Sequence, residues 1–133
     1  MPVVSVLTAA TADRADLVAE AGESLAAQRL PDDWRLEWIV QEDAVDAGLA
    51  DLVGKFEFAR HAVNGERLGA ATTRNIGLTR VTGELVHVLD SDDLVLPDGL
   101  ATAIAAFAEH PDLHWVVGQA DDLLPSGERV VKN

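Results

Sequence analysis

The sequence predicts an α/β chain, with a mostly parallel central sheet, helices on both faces and a β-hairpin at the C-terminus. Three observations carry this. Short apolar runs of strand length alternate with segments of helical periodicity; the runs are continuous rather than alternating, as in strands buried on both faces; and two of them stop abruptly at acidic groups. The chain has 133 residues, 48% apolar and 25% charged, which suits one folded domain and lies far from the disordered corner of composition space.

Val3 to Leu7 is the first strand, mostly β-branched. From Asp13 to Arg29, Leu17, Val18, Ala21, Leu25 and Ala26 recur at helical spacing, with Asp13 and Asp16 at the positive end of the helix dipole. Pro31-Asp32-Asp33 breaks that helix, and Trp34 to Val40 reads as the second strand. A short helix over Asp46–Val53 and a third strand over Lys55–Ala62 follow. Asn64-Gly65 supplies a turn before a helix from about Arg67 to Val81, which Gly83 would cap. Leu85 to Leu89 is apolar enough to be a central strand. Pro97 opens a helix with Leu100, Ile104 and Phe107 on one face, ending at His110-Pro111; Trp115-Val116-Val117 begins another strand, and Leu123 to Val131 folds as a hairpin about Pro125-Ser126-Gly127.

Ten basic residues against 23 acidic ones give a formal charge of −13. A nucleic-acid partner is thereby disfavoured, as is binding to an anionic membrane. Cysteine is absent, which removes disulfides, thiolate nucleophiles and Cys-type zinc sites. Met1 is followed by Pro2-Val3-Val4-Ser5 with no basic n-region, so we expect no secretory signal. No apolar run is long enough for a transmembrane segment. The expected location is cytoplasmic, with peripheral membrane attachment of a full-length protein left open.

The strongest chemical signal is Asp90-Ser91-Asp92-Asp93. Three carboxylates in four residues repel one another, and a fold tolerates them best when they are fully solvated or hold a cation. Oxygen-only ligands favour Mg²⁺ or Mn²⁺, commonly shared with substrate phosphates. A solvated acidic turn is the plain alternative, but this cluster ends a buried strand, where open α/β sheets place their sites. Gln41-Glu42-Asp43 ends another and is read either as a second lining of one pocket or as a polar loop. Arg74 lies in a helix, able to pair with a diphosphate or to bridge to a carboxylate. His87 reads as a core histidine, and His61, His110 and His114 lack metal-type spacing. No GxGxxG, GxxxxGK[ST] or GxSxG occurs.

Taken in order, Val3-Val4-Ser5-Val6-Leu7, Ile39-Val40-Gln41-Glu42-Asp43, Asn64-Gly65, Arg74-Asn75-Ile76-Gly77, Gly83-Glu84 and Leu89-Asp90-Ser91-Asp92-Asp93 with Leu96-Pro97 resemble the N-terminal half of family 2 glycosyltransferases. The resemblance implies the Rossmann-like GT-A fold and inverting transfer of a sugar from a nucleoside diphosphate donor, a UDP-sugar first among them, with Mn²⁺ or Mg²⁺ bridging the diphosphate. It implies that Asp92 is most directly on the metal, that Asp90 contacts the ribose or the metal shell, that Asp43 recognises the base, and that Arg74 flanks the donor. The acceptor, a saccharide, lipid or protein, stays unidentified, as does any oligomeric state. The sequence departs from the family where Ala9-Ala10-Thr11-Ala12 replaces Pro-Thr-Tyr-Asn, and where Glu42 and Ala44 replace residues of Asp-Asp-Gly. Residues 1–133 are therefore expected to be a single donor-binding domain, the half of a longer enzyme whose general base lies beyond Asn133. The alternative is a non-catalytic nucleotide-sugar-binding or acidic α/β interaction module.

Overall fold

The computed structural model describes residues 1–131. The chain divides into two compact units, Met1–Ala101 and the part from Thr102 onward. The first holds a four-stranded parallel sheet in the order β3-β2-β1-β4, made of β1 (Val3–Ala10), β2 (Arg35–Glu42), β3 (Ala59–Val63) and β4 (Leu85–Val88). The connections are α1 (Ala15–Ala26), α2 (Ala50–Val53) and α3 (Ala70–Leu78); α4 (Gly99–Glu109) follows β4.

The register sorts the side chains into two faces. Val6 pairs with Trp38 and Thr8 with Val40, while Ser5 pairs with Glu37 and Leu7 with Ile39. With a period of two, Val6, Thr8, Trp38 and Val40 point one way, and Ser5, Leu7, Ile39 and Gln41 the other. α1 covers the first face: Val18, Ala21, Gly22 and Leu25 recur at helical spacing and are buried, and a Cβ on Gly22 would stand 2.8 Å from the Trp38 ring. Trp38 is fully buried, donates from Nε1 to Thr8 Oγ1 at 2.9 Å and meets Phe56 edge-on at 5.6 Å. α3 covers the second face, where a Cβ on Gly77 would fall 2.5 Å from Leu7 Cδ1. Helices on both faces bury most of β1 and the C-terminal part of β2, which explains their apolar runs.

Several sequence expectations are corrected. Among the described residues β4 is an edge strand of this sheet, not a central one; it pairs with β1 alone while α3 lies over β1 and β2, and Val86, His87 and Val88 are exposed. His87 is thus no core histidine. The first helix is split, a 3₁₀ turn at Ala12–Arg14 preceding α1. β3 starts only at Ala59, and α3 spans Ala70–Leu78 with Thr79 after it, so Gly83 caps nothing. Gly83 instead lies against β1, where a Cβ would come 2.6 Å from the Val3 carbonyl and 2.8 Å from Ser5 N.

In the second unit, β5 (Asp121–Leu123) and β6 (Arg129–Val131) form the expected antiparallel hairpin about Pro125-Ser126-Gly127, with Gly127 at φ +89° and Arg129 paired to Asp121 at 2.9 Å. Trp115 to Val117 form no strand, and Trp115 and Val117 are largely exposed; an apolar run without a neighbour to pair with does not become a strand. No described helix is long and apolar enough to cross a membrane.

Candidate functional site

Strand order locates the site. The chain moves from β1 outward to β2 and β3, then returns through α3 to place β4 on the other side of β1. This reversal falls between β1 and β4, and open α/β sheets bind ligands beyond the carboxyl ends of the strands at such a point. Asp90 to Asp93 follow β4, Arg14 follows β1, and Asp43 follows β2, all at that edge because every strand is parallel. The tips of β2 and β4 are separated by β1 alone, two strand spacings or about 10 Å.

The acidic turn is built by local hydrogen bonding, and the segment after it is pinned from α1 and the residues that follow α1. Asp93 N donates to the Asp90 carbonyl at 3.0 Å, and Ser91 is buried inside the turn. Gln28 Nε2 donates to the Val95 and Leu96 carbonyls at 3.1 and 2.9 Å, and Val95 N donates to Ser24 Oγ at 3.2 Å. Asp90, Asp92 and Asp93 each offer a carboxylate oxygen within 4.8 Å of the others. Exposed and composed only of hard oxygen donors, the set fits Mg²⁺ or Mn²⁺.

Two arginines flank it. Arg74 Nη2, from α3, lies 3.4 Å from Asp90 Oδ1, and Arg14 Nη1, from the 3₁₀ turn, lies 3.4 Å from Asp92 Oδ2. Arg74 makes the carboxylate bridge that the sequence offered as one option. Arg14 escaped sequence reasoning because its partner is 78 residues away; its place just after a strand was the available signal, the same one that picked out Asp43. Asn75 is exposed and, among the described residues, makes no side-chain hydrogen bond.

The second acidic group divides. Asp43 accepts from Leu68 N at 2.7 Å, Gly69 N at 3.1 Å and Asn64 Nδ2 at 3.3 Å. The Leu68 N–H outweighs burial and, with Gly69, Asn64 and Arg67, holds the carboxyl below its usual range. Asp43 is thereby ionised and fixed at the approach to α3. Asn64 also donates to Thr73 Oγ1 at 2.9 Å and accepts from Gln41 Nε2 at 2.8 Å, tying β2, the turn and α3 together. Glu42 points to the opposite face and is fully buried, accepting from Gly48 N and Leu49 N at 2.7 and 3.0 Å with His61 Nε2 at 2.8 Å. It anchors a loop and is closed to ligands.

The family model for glycosyl transferase family 2 matches residues 5–124. The chain belongs to that family. Among solved structures, a neighbour is S. aureus TarS 1-349 in complex with UDP-GlcNAc, with TM-score 0.74 and 26% identity over 84% of this chain and 32% of that one. Another is the mannosyltransferase PcManGT from Pyrobaculum calidifontis in complex with GDP-Man and Mn²⁺, with TM-score 0.69 and 28% identity over 79% of this chain and 32% of that one. The family 2 chain thus spans about a third of the length of these GT-A neighbours. No curated protein sequence matched it.

Proposed function

We propose that this chain supplies the donor site of a metal-dependent, inverting glycosyltransferase that uses a nucleoside-diphosphate sugar, foremost a UDP-sugar. The observation that carries this reading is the convergence of Asp90, Asp92, Arg14 and Arg74 beyond the carboxyl ends of β1 and β4, with Asp43 at the same sheet edge. Asp92 and Asp90 would hold the cation, with Asp93 in reach. A bound Mn²⁺ or Mg²⁺ offsets the charge of the departing diphosphate. Arg74 offers the planar fork that matches phosphate oxygens. Asp43, held ionised by backbone N–H groups, keeps lone pairs for a base N–H or a ribose hydroxyl. The complexes of TarS with UDP-GlcNAc and of PcManGT with GDP-Man and Mn²⁺ support a donor of this class. The acceptor is a saccharide, lipid or protein.

Thermal unfolding with UDP tests the reading. UDP at 100 times its dissociation constant adds about 2.7 kcal/mol, and the shift should be clear with Mn²⁺ and small without it, because phosphates and carboxylates otherwise repel. Asp92→Asn should abolish the metal-dependent part. Equal shifts with and without Mn²⁺ would refute the assignment.

A further inference from the structure

We propose that Arg14 is an exchangeable counter-ion of the acidic turn: it neutralises Asp92 before loading and transfers to the donor diphosphate when a divalent cation takes that carboxylate. This rests on the reading of the site given above and assigns a residue that the sequence motifs do not reach.

The geometry is that of a contact made to be exchanged. At 3.4 Å the Arg14–Asp92 pair sits near the limit of a hydrogen bond, and both side chains are about half exposed, at 50% and 52%. Solvated pairs of this kind are weak and break readily. Arg74 stands on Asp90 in the same way, at 3.4 Å and from the other side of the turn. Three clustered carboxylates therefore have a guanidinium on each flank, and the group of five carries one net negative charge. A divalent cation alone would invert this to one net positive charge. A nucleoside-diphosphate sugar brings two phosphate charges and restores a single negative one, so the loaded and unloaded sites have the same net charge only if both arginines remain.

A guanidinium and a metal ion cannot share one carboxylate oxygen without strong repulsion. Once displaced from Asp92, Arg14 needs another anion. The neighbouring Asp13, whose carboxyl the Thr11 hydroxyl and, more weakly, the Arg14 charge hold below its usual range, is a competing acceptor that carries a single charge. The diphosphate is the stronger acceptor and matches the guanidinium fork.

The exchange predicts opposite signs for two affinities of one variant. In Arg14→Gln, Mn²⁺ alone, measured from free-ion EPR titration, should bind roughly two- to fivefold more tightly, because its competitor is gone. UDP at saturating Mn²⁺, measured by calorimetry, should bind about tenfold more weakly. Arg14→Lys should leave Mn²⁺ affinity near that of the unaltered chain and give an intermediate UDP affinity, since charge is kept and the fork lost. Changes of both affinities in the same direction, or in neither, with normal binding by the unaltered chain, would overturn the exchange alone. Binding of neither Mn²⁺ nor UDP by the unaltered chain would overturn the donor-site reading and the exchange with it.

Discussion

Glu42 Oε1 stands 2.8 Å from His61 Nε2, on a carboxylate with no exposed surface that also accepts the N–H groups of Gly48 and Leu49. One side chain at the end of β2 thus secures β3 and the loop entering α2. Glu42→Ala should cost about 3 kcal/mol in urea unfolding, since it strands two N–H donors and an imidazole. Glu42→Gln, which keeps an accepting oxygen, should cost less. A loss under about 1 kcal/mol in the alanine variant would show that the loop holds itself.

Acid should weaken the fold in two stages. His87 is exposed on one side, but partial desolvation of its ring by the protein beside it pushes its pKa below 6.5, so the unfolded chain takes that proton first and stability declines as pH falls below about 6.5. The side chain keeps solvent contact, which makes this stage shallow. Burial acts to raise Glu42 and Glu37 above 4.5, but hydrogen bonds outweigh it: His61, Gly48 and Leu49 for Glu42, and Ser5, Thr82 and Arg60 for Glu37. Their net shift is downward. The stability they add is whole above pH 4.5 and lost as pH falls through their folded values. Urea midpoints from pH 8 to 3 should show both stages; His87→Gln should remove the first, and Glu42→Gln should reduce the second.

Gly83 is required by contact rather than by a helix end. An added Cβ would meet Ser5 Oγ at 2.5 Å and two backbone atoms of β1 within 2.8 Å, and Gly83 N donates to Ser5 Oγ at 2.8 Å. Gly83→Ala should destabilise by about 2 kcal/mol, because a backbone cannot yield as a side-chain tip can. An unchanged unfolding midpoint would show that β4 docks with slack.

The 133-residue chain should bind donor without transferring sugar. On the proposed reading its site carboxylates are committed: Glu42 to a loop, Asp43 to the approach to α3 and the nucleotide, and Asp90, Asp92 and Asp93 to arginines or a cation. None is left as the general base that an inverting displacement needs, a contribution of about 10² to 10⁴ in rate. Nucleotide release from UDP- and GDP-sugars with Mn²⁺ should not depend on added acceptors; robust acceptor-dependent release would place the base within these residues.

Much of the fold was legible because it is local. Leu17, Val18, Ala21 and Leu25 reveal α1 by spacing alone, and the apolar runs of β1 and β2 reveal burial on both faces. The acidic turn was legible because carboxylates abut a strand end. The place of β4 was not: Leu85 to Leu89 is equally apolar whether central or at an edge, since strand order depends on how the crossovers pack. Gly83 was misread for a related reason, because a glycine demanded by a distant backbone looks like one demanded by a local cap.

The sequence by itself determined the alternation of strands and helices, the parallel sense of the sheet, the membership in family 2 and the positions of Asp43, Arg74, Asp90 and Asp92 at element ends or on a helix. Only the tertiary structure decided which acidic residues remain open. Neighbours in sequence at the end of a strand point to opposite faces, so Glu42 is buried under a loop while Asp43 stays at the edge. It also decided that Arg14 and Asp92, 78 residues apart, meet, because the reversal of strand order sets the ends of β1 and β4 side by side.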